Sequence, residues 1–234
     1  MKPSEHMERH AQTEALADGV DGNALSYSLT ACRGKGICPF GLVMIIPIKR
    51  IIETALDDSG WALHMKRLHP KGIQLHHRLR ISLAACPNSC SQPQIHDIGL
   101  IAASRPRETT QACTGCGLCE KTCGETAIFL QDGRAVTRQE ACLACGECAK
   151  ICPVGAIRCD PLVFRLLLGG HMGRHPAWAF ELHQFFAPGQ ISRIFHILLS
   201  MLLREARHNE RPSMTFIRLG IEQIEHEIEN CEHG

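Results

Sequence analysis

The chain has 234 residues, 44% of them hydrophobic, and a formal net charge of +1, which fits one substantial core or two small ones. One Tyr, two Trp and no arginine-rich run exclude the stacking platforms and basic stripe of a nucleic-acid binder. No apolar run is long enough to cross a bilayer, and the polar residues 1–18 carry both signs of charge, so we expect a soluble protein without a membrane span.

The composition divides the chain into four parts. Residues 1–28 form a polar arm, residues 29–105 and 161–234 have an α/β pattern, and residues 106–160 form a cysteine-rich segment. Because the α/β pattern resumes after the cysteine-rich segment, we predict that this segment is inserted into one domain.

The hydrophobic spacing predicts the following elements in chain order: a helix over 40–56, strands over 80–85, 98–103 and 162–168, and helices over 190–207 and 213–230. Pro47 is expected to bend or split the first helix, because proline lacks the backbone donor of a helix interior. The strand over 162–168 is expected to end at Gly169-Gly170. These elements predict a domain of strands and helices around one core.

Twelve of the fourteen cysteines fall into three groups of four. Two groups repeat the spacing C-x2-C-x2-C-x3-C, and their members are Cys113, Cys116, Cys119, Cys123 and Cys142, Cys145, Cys148, Cys152. Three cysteines at this spacing can wrap one face of a 4Fe-4S cube, and the fourth crosses to the other cluster of the pair. The spacing therefore predicts two ligand sets: set A, which is Cys113, Cys116, Cys119 and Cys152, and set B, which is Cys123, Cys142, Cys145 and Cys148.

Structural zinc is the alternative for sets A and B, but zinc sites use separated pairs of ligands and have no use for the third cysteine of each run. A secreted disulfide framework does not repeat this spacing, and thiolates held by iron fit a reducing compartment, so we expect a cytoplasmic protein. The residues around these cysteines resemble the bacterial two-cluster ferredoxins, notably Cys116-Gly117-Leu118-Cys119 and Cys152-Pro153. Gly124 stands where the first half of that pattern usually has proline.

The third group is split along the chain. Thr30-Ala31-Cys32-x5-Cys38-Pro39 and Ala85-Cys86-Pro87-Asn88-Ser89-Cys90 resemble the paired cysteine motifs of the sirohaem-containing sulfite and nitrite reductases. The second motif alone is explained equally well by a turn with two buried thiols. The segments 91–102 and 167–176 also resemble that family, and an inserted two-cluster ferredoxin is similar to the dissimilatory and anaerobic sulfite reductase subunits.

The resemblance implies a fold, cofactors and an activity. The fold is α+β, a mixed sheet with helices, and it carries the inserted ferredoxin module. Cys32, Cys38, Cys86 and Cys90, the split set, would hold the catalytic 4Fe-4S cluster, and Cys90 would also ligate the sirohaem iron. With three 4Fe-4S clusters and sirohaem, sets A and B would pass electrons from a redox protein donor for the six-electron reduction of sulfite to sulfide. Nitrite is the nearest rival substrate.

Anionic substrates require cations near the reacting iron. Arg33 and Lys35 lie in the loop between Cys32 and Cys38 and are candidate catalytic residues, together with Arg80. Solvation of the loop, or compensation of the cluster's negative charge, explains Arg33 and Lys35 equally well.

Three further residues are candidates for binding the sirohaem. Asn88 belongs to the second cysteine motif, and Arg174 follows a glycine pair, where backbone can approach a ligand closely. Arg78 belongs to a basic run before that motif and would share one strand face with Arg80. A solvated face accounts for the basic run, and a turn or helix cap accounts for Arg174.

Full-length members of the family carry an additional N-terminal half that encloses the sirohaem. Residues 1–28 are too few to supply it, which leaves three possibilities. A partner subunit or a second copy completes the pocket, the sirohaem face is open, or sirohaem is absent and the split set only passes electrons. We therefore predict a sulfite reductase subunit, with a non-catalytic electron-transfer subunit as the competing class.

Overall fold

The computed structural model describes residues 26–232, so most of the predicted arm lies outside the described residues. The strands are β1 Tyr27–Ala31, β2 Leu79–Ala84, β3 Ile98–Ala103, β4 Pro106–Thr109, β5 Ile128–Gln131, β6 Arg134–Thr137, β7 Ile157–Cys159, β8 Val163–Leu168 and β9 Phe180–Phe186. The α-helices are α1 Ile45–Asp58, α2 Trp61–Leu68, α3 Leu118–Thr122, α4 Glu147–Ile151, α5 Ile191–Glu205, α6 Pro212–Leu219 and α7 Ile221–Glu232.

The central element is a five-stranded sheet in the order β1-β2-β3-β8-β9. The pairs β1–β2 and β2–β3 are parallel, whereas β3–β8 and β8–β9 are antiparallel. The β3–β8 register runs from Ile98 opposite Leu168 to Ala103 opposite Val163. This mixed sheet with helices confirms the predicted α+β class.

Alternating residues of the central strands form the main core. In β2 these are Leu79, Ile81 and Leu83, all fully buried, and they pack in one cluster with the apolar residues of α1 and α5. Burial of each such side chain contributes about 1.5–3 kcal/mol relative to leaving it in water. Ala84 and Ile101 project from the opposite face of the sheet, into a smaller cluster.

The cysteine-rich segment joins two neighbouring strands of the sheet. The chain leaves β3 at Ala103 and returns in β8 at Val163, directly opposite. Between them, β4 pairs with β7 and β5 pairs with β6 in two small antiparallel sheets. The segment is therefore attached at one sheet end, where the Ser104 amide donates to the Ala144 carbonyl at 2.7 Å.

The first helix begins later than the sequence predicted. It starts at Ile45, and Pro47 lies in its first turn, where no intrahelical partner is needed for the missing N–H. Pro47 therefore neither bends nor splits the helix. Residues 40–44 instead turn back beside the split set, with the Leu42 amide donating to the Ala85 carbonyl at 2.8 Å.

The prediction of one continuous helix over 213–230 was wrong. Two helices, α6 and α7, meet at Gly220, whose φ of 79° lies outside the right-handed helical region. Sequence reasoning also missed β1, β9 and α2, because their hydrophobic patterns are weak. β9 has seven residues, but of these only Leu182 and Phe186 are buried. Among the described residues, no helix is long and apolar enough to span a membrane.

A tight contact at Gly99 gives a first testable prediction. A Cβ added to this β3 residue would lie 2.5 Å from the Pro93 carbonyl oxygen, so Gly99→Ala must displace the turn that follows Cys90. We expect it to lower the free energy of unfolding by about 1–3 kcal/mol, the usual cost of overpacking. Gly189→Ala is the control, because no heavy atom lies within 4 Å of its added Cβ. Equal chemical denaturation midpoints for the two variants would contradict this account.

Candidate functional site

The cysteines of set A line one small cavity in the cysteine-rich segment. Its walls are otherwise mostly apolar, and they include Leu118, Leu130, Ala135, Val154 and Ile157. Cys119 is buried, while Cys116 is exposed. The fold therefore brings Cys152 to the first run of cysteines, as the crossover spacing requires.

The cysteines of set B line a second cavity, of about 200 Å³. Cys123 joins the second run here, so the two sets exchange their fourth members. Within residues 26–232, no three His, Cys, Asp or Glu side chains are placed to hold a single metal ion. The four thiols of each set instead line a cavity, which is the arrangement that a cubane cluster needs.

The two halves of the cysteine-rich segment repeat the same local geometry. Gly117 and Gly146 precede α3 and α4 with φ of 76° and 70°, left-handed values that turn each cysteine run into its helix. After the last cysteine of each half, a backbone amide points at its sulfur: Ala127 N lies 3.3 Å from Cys123 Sγ, and Ala156 N lies 3.2 Å from Cys152 Sγ. Such N–H···S bonds stabilise thiolate charge.

The split set assembles where β1 and β2 end. Both strands are parallel, so Cys32 and Cys86 follow their carboxyl ends at the same edge of the sheet. The Ala85 amide donates to Cys32 Sγ at 3.1 Å. Burial raises the pKa of the Cys86 thiol, and the nearby thiols of Cys32, Cys38 and Cys90 add to this effect. The chain therefore brings the four sulfurs together.

The split set and set B lie next to each other. Cys86, with Phe40, Pro87 and Asn88, lines the same cavity as the four cysteines of set B. Phe40 was missed by sequence reasoning, because it was assigned to the first helix. Its position after Cys38-Pro39 was the available signal.

Burial disfavours the ionisation of several cavity thiols. Burial, with the neighbouring Cys159 thiol, raises the pKa of Cys148 to about 12, and burial also raises the pKa of Cys119 and Cys145. A thiolate at these positions needs a strong positive partner, which iron supplies. Cys152 differs: burial opposes its ionisation, but backbone amides, led by those of Ala156 and Val154, lower its pKa.

The candidate cations near the split set are exposed. Arg33 and Lys35 lie in the loop between Cys32 and Cys38, and the Lys35 amide donates to the Val43 carbonyl at 2.8 Å. The loop turns tightly here, as shown by Gly41: a Cβ on this residue would lie 2.4 Å from the backbone nitrogen of Lys35. Asn88 is exposed in the turn between Cys86 and Cys90.

Arg78 and Arg80 lie at the other end of β2. The sequence predicted that Arg78 and Arg80 share one face of a strand. This prediction was wrong for Arg78, because the strand starts at Leu79 and contains only Arg80. Four residues of strand place the Arg80 Cα about 13 Å from that of Ala84, the residue at the cysteine end. Both arginines are half-buried, and the buried Arg78 Nε has no hydrogen-bond partner among the described residues. Neither is therefore adjacent to the split set.

Arg174 is exposed in a loop closed by a bridge between His171 and Ala177. The backbone does approach a neighbour closely at the glycine pair before Arg174. Gly169 has a φ of 83°, and a Cβ on Gly170 would lie 2.4 Å from the Gln94 carbonyl oxygen. The loop is therefore packed closely on the turn that follows Cys90, while the arginine side chain itself faces solvent.

A buried carboxylate joins β2 to the C-terminal helices. Asp97 accepts from the Arg80 amide at 2.6 Å through Oδ2 and from the Ser213 amide, in the first turn of α6, at 3.0 Å through Oδ1. Burial raises its pKa to about 6, although these hydrogen bonds and the charges of Arg211 and Arg80 act in the opposite direction. Sequence reasoning missed Asp97. Its position directly before a strand was the only signal.

Known proteins match this chain over most of its length. The family described as the nitrite and sulphite reductase 4Fe-4S domain matches residues 24–233. A coenzyme F420-dependent sulfite reductase of Methanocaldococcus jannaschii is 32% identical over 53% of this chain and 18% of that protein. One subunit of the anaerobic sulfite reductase of Salmonella typhimurium is 32% identical over 63% of this chain and 40% of that protein.

Two further matches extend the comparison. A ferredoxin–nitrite reductase of Leptolyngbya laminosa is 30% identical over 42% of this chain and 17% of that protein. The crystal structure of dissimilatory sulfite reductase I has the same fold, with a TM-score of 0.55 and 13% identity over 85% of this chain and 51% of that one. The matched regions span less than half the length of the curated relatives. The family match nevertheless covers all of the described residues, so this chain belongs to the nitrite and sulphite reductase 4Fe-4S domain family.

Proposed function

We propose that this chain is a sulfite reductase subunit that binds three 4Fe-4S clusters and sirohaem and reduces sulfite to sulfide. The observation that carries the proposal is the shared cavity, which places Cys86 of the split set beside all four cysteines of set B. An electron relay requires such adjacency between a delivering cluster and a catalytic one. The relatives named sulfite reductases support the substrate.

The cysteine-rich segment is proposed to be the ferredoxin module, residues 106–160, with set A and set B as its two ligand groups. Residues 29–105 and 161–234 are proposed to be the two parts of the reductase domain. Two observations support this division. Each cavity takes one cysteine from the other run, Cys123 in one case and Cys152 in the other, and the segment is attached between adjacent strands of the sheet.

The split set would hold the catalytic cluster, and Cys90 would ligate the sirohaem iron. When bound, these groups supply the single-electron steps and the iron that binds the anion. Cys86 is buried and faces set B, whereas Cys90 is exposed, so the two sides of the split set are suited to receiving electrons and to contacting a second cofactor.

The protein's own side chains would bind and orient the anion. Arg33 and Lys35 are exposed in the split-set loop and can donate hydrogen bonds to sulfite oxygens. Asn88 lies between Cys86 and Cys90, where its amide would contact the sirohaem. Arg78 and Arg80 lie at the far end of β2 from the cysteines, and Arg174 is exposed in the loop that packs on the turn after Cys90. We assign all three to the carboxylate rim of that large cofactor. For Arg80, this replaces the catalytic role expected from the sequence.

A partner would complete the pocket. Cys90, Asn88, Arg33 and Lys35 are all exposed in the described part of the chain, so a pocket that excludes water needs another wall. We propose a partner subunit or a second copy of this chain for that role, and a redox protein as the electron donor. The Salmonella relative is named as one subunit of its enzyme, which supports this arrangement. A cytoplasmic location agrees with the free thiols that cluster assembly needs.

Two other functions are favoured by specific observations. The match to a ferredoxin–nitrite reductase favours nitrite as the substrate. The position of Arg78 and Arg80 at the far end of β2 from the split set favours a non-catalytic electron-transfer subunit that has three clusters and no haem. Optical spectra separate these classes, because sirohaem adds Soret and red bands that clusters lack.

Anaerobic purification followed by absorption spectroscopy and iron analysis tests the proposal. We expect about thirteen irons per chain, twelve in the three clusters and one in the sirohaem, and about twelve acid-labile sulfides, together with haem bands that shift when sulfite is added. A shift with nitrite but not sulfite would assign the substrate to nitrite. Clusters without haem bands would indicate the electron-transfer subunit, and a colourless protein would contradict all three functions.

A further inference from the structure

Lys150 links the two cluster sites. Its Nζ donates to the carbonyl of Pro39 at 3.3 Å and to Glu147 Oε1 at 2.7 Å. Pro39 directly follows Cys38 of the split set, and Lys150 lies on α4 between Cys148 and Cys152. One side chain therefore joins the loop that presents the split set to the helix that presents set B.

The backbone around this contact is packed closely. A Cβ on Gly146 would lie 3.6 Å from the Leu42 side chain and 3.7 Å from the Ser104 carbonyl oxygen. Ser104 pairs with Cys145 in an isolated bridge at the base of the segment. The base of the cysteine-rich segment is thus attached through backbone, while Lys150 attaches its helix to the Pro39 loop.

The positive charge of Lys150 also lies close to two sites that would be negatively charged. Both cluster sites would carry net negative charge, because each has four thiolates. Glu147 adds a carboxylate to the wall of the cavity that the set B cysteines line. The ion pair between Lys150 and Glu147 offsets that carboxylate. Without Lys150, Glu147 would disfavour an added electron on the set B cluster.

We infer that Lys150 is a positioning residue that holds the set B cluster against the split set and keeps its reduction potential high enough to accept electrons from set A. This inference rests on the proposed function and adds a named residue to its electron path. The contact has two separable parts, a hydrogen bond to Pro39 and a charge beside Glu147.

The internal repeat supplies a matched control. Lys121 occupies the position in α3 that Lys150 occupies in α4, two residues after the third cysteine of its run. It is exposed, and among the described residues its side chain makes no hydrogen bond or ion pair. Lys121→Met therefore removes the same charge beside a cluster run without removing a contact to the split set.

Hydrogen exchange on the whole protein tests the hydrogen bond and does not depend on the cofactors. We expect Lys150→Met to accelerate exchange of the Gly41 and Leu42 amides at least about threefold, while Lys121→Met leaves them unchanged and Lys150→Arg restores protection. Unchanged exchange in Lys150→Met would overturn the inference, whether or not clusters are present. Loss of the clusters from the wild-type protein would instead overturn the proposed function.

Redox titration and rapid-freeze spectroscopy of the cluster-loaded protein test the charge. We expect Lys150→Met to lower the potential of the set B cluster and to slow electron transfer to the split set at least about tenfold, with Lys150→Arg close to wild type. Adding Glu147→Gln to Lys150→Met should restore the potential but not the amide protection. A Lys150→Met protein that matches Lys121→Met in both potential and transfer rate would overturn the inference.

Discussion

Replacing Cys86 by alanine should remove about four of the roughly twelve irons that three cubane clusters would contain, and should abolish sulfite reduction. Cys86 is buried at the boundary between the split set and the set B cavity, so its loss opens one corner of the catalytic site and leaves the cysteines of sets A and B unchanged. Iron and sulfide analysis of anaerobic protein measures the first effect, and sulfite-dependent oxidation of a reduced dye measures the second.

Two other cysteine variants test the specificity of this result. Cys38→Ala removes a second member of the split set and should give the same iron loss. Cys231→Ala is the control, because Cys231 is exposed on α7 and belongs to no set. Retention of full iron content in both Cys86→Ala and Cys38→Ala would contradict the split set, and a loss of about eight irons would mean that its cluster and that of set B assemble as one unit.

The stability of the wild-type fold should fall as pH rises through the range in which Asp97 ionises. Its pKa is raised by burial from 3.8 to about 6, so the folded state binds the proton more tightly than the unfolded state. The resulting stabilisation is fully present below pH 3.8 and is lost as pH passes through about 6. The difference corresponds to about 3 kcal/mol over the whole window.

Comparison with Asp97→Asn isolates this titration. Between pH 4.5 and 7, we expect the free energy of unfolding of wild type relative to this variant to fall by about 2 kcal/mol. Glu210 is the internal contrast, because its ion pair with Arg218 lowers its pKa to about 2, and the stability it adds is lost as pH falls. Urea denaturation at each pH measures both proteins. A constant difference across the range would show that Asp97 ionises normally.

The same carboxylate also supports the fold at every pH, because it accepts from two backbone amides that would otherwise lack partners. Asp97→Ala should therefore destabilise the protein at each pH, with most of the effect from the unpaired Arg80 and Ser213 amides. Each unpaired buried donor costs about 1–3 kcal/mol. Because Asp97 lies away from every cysteine set, its substitution should leave the iron content unchanged.

The sequence alone predicted the elements with the strongest local patterns. The strands near 80–85, 98–103 and 162–168 differ from the observed β2, β3 and β8 by at most one residue at either end, because consecutive buried apolar residues leave little freedom. The predicted helix boundaries differ more from the observed ones. Residues 40–44 are as apolar as a helix, yet the Leu42 and Gly41 amides bond to the loop around the split set, which a periodicity argument cannot detect.

At the candidate site, the sequence predicted which cysteines are ligands, but it did not predict how the ligand sets are arranged in space. Cysteine spacing is a local property of the chain, so it predicted sets A and B from their two repeated runs, whereas the split set was predicted from the resemblance of its two motifs to a known family. Spacing does not say which sets are neighbours. The adjacency of Cys86 to set B, the contact of Lys150 with Pro39 and the burial of Asp97 all join residues far apart in sequence.

The sequence by itself determined the family and the α+β class and predicted the three cysteine sets, because each motif and each periodic segment is carried by residues close together along the chain. Only the tertiary structure decided that Arg80 lies at the far end of β2 from the cysteines, that set B rather than set A faces Cys86, and that one lysine connects the two sites. The physical reason is that the direction of each strand and the packing of the cysteine-rich segment depend on long-range pairing, which no local pattern encodes.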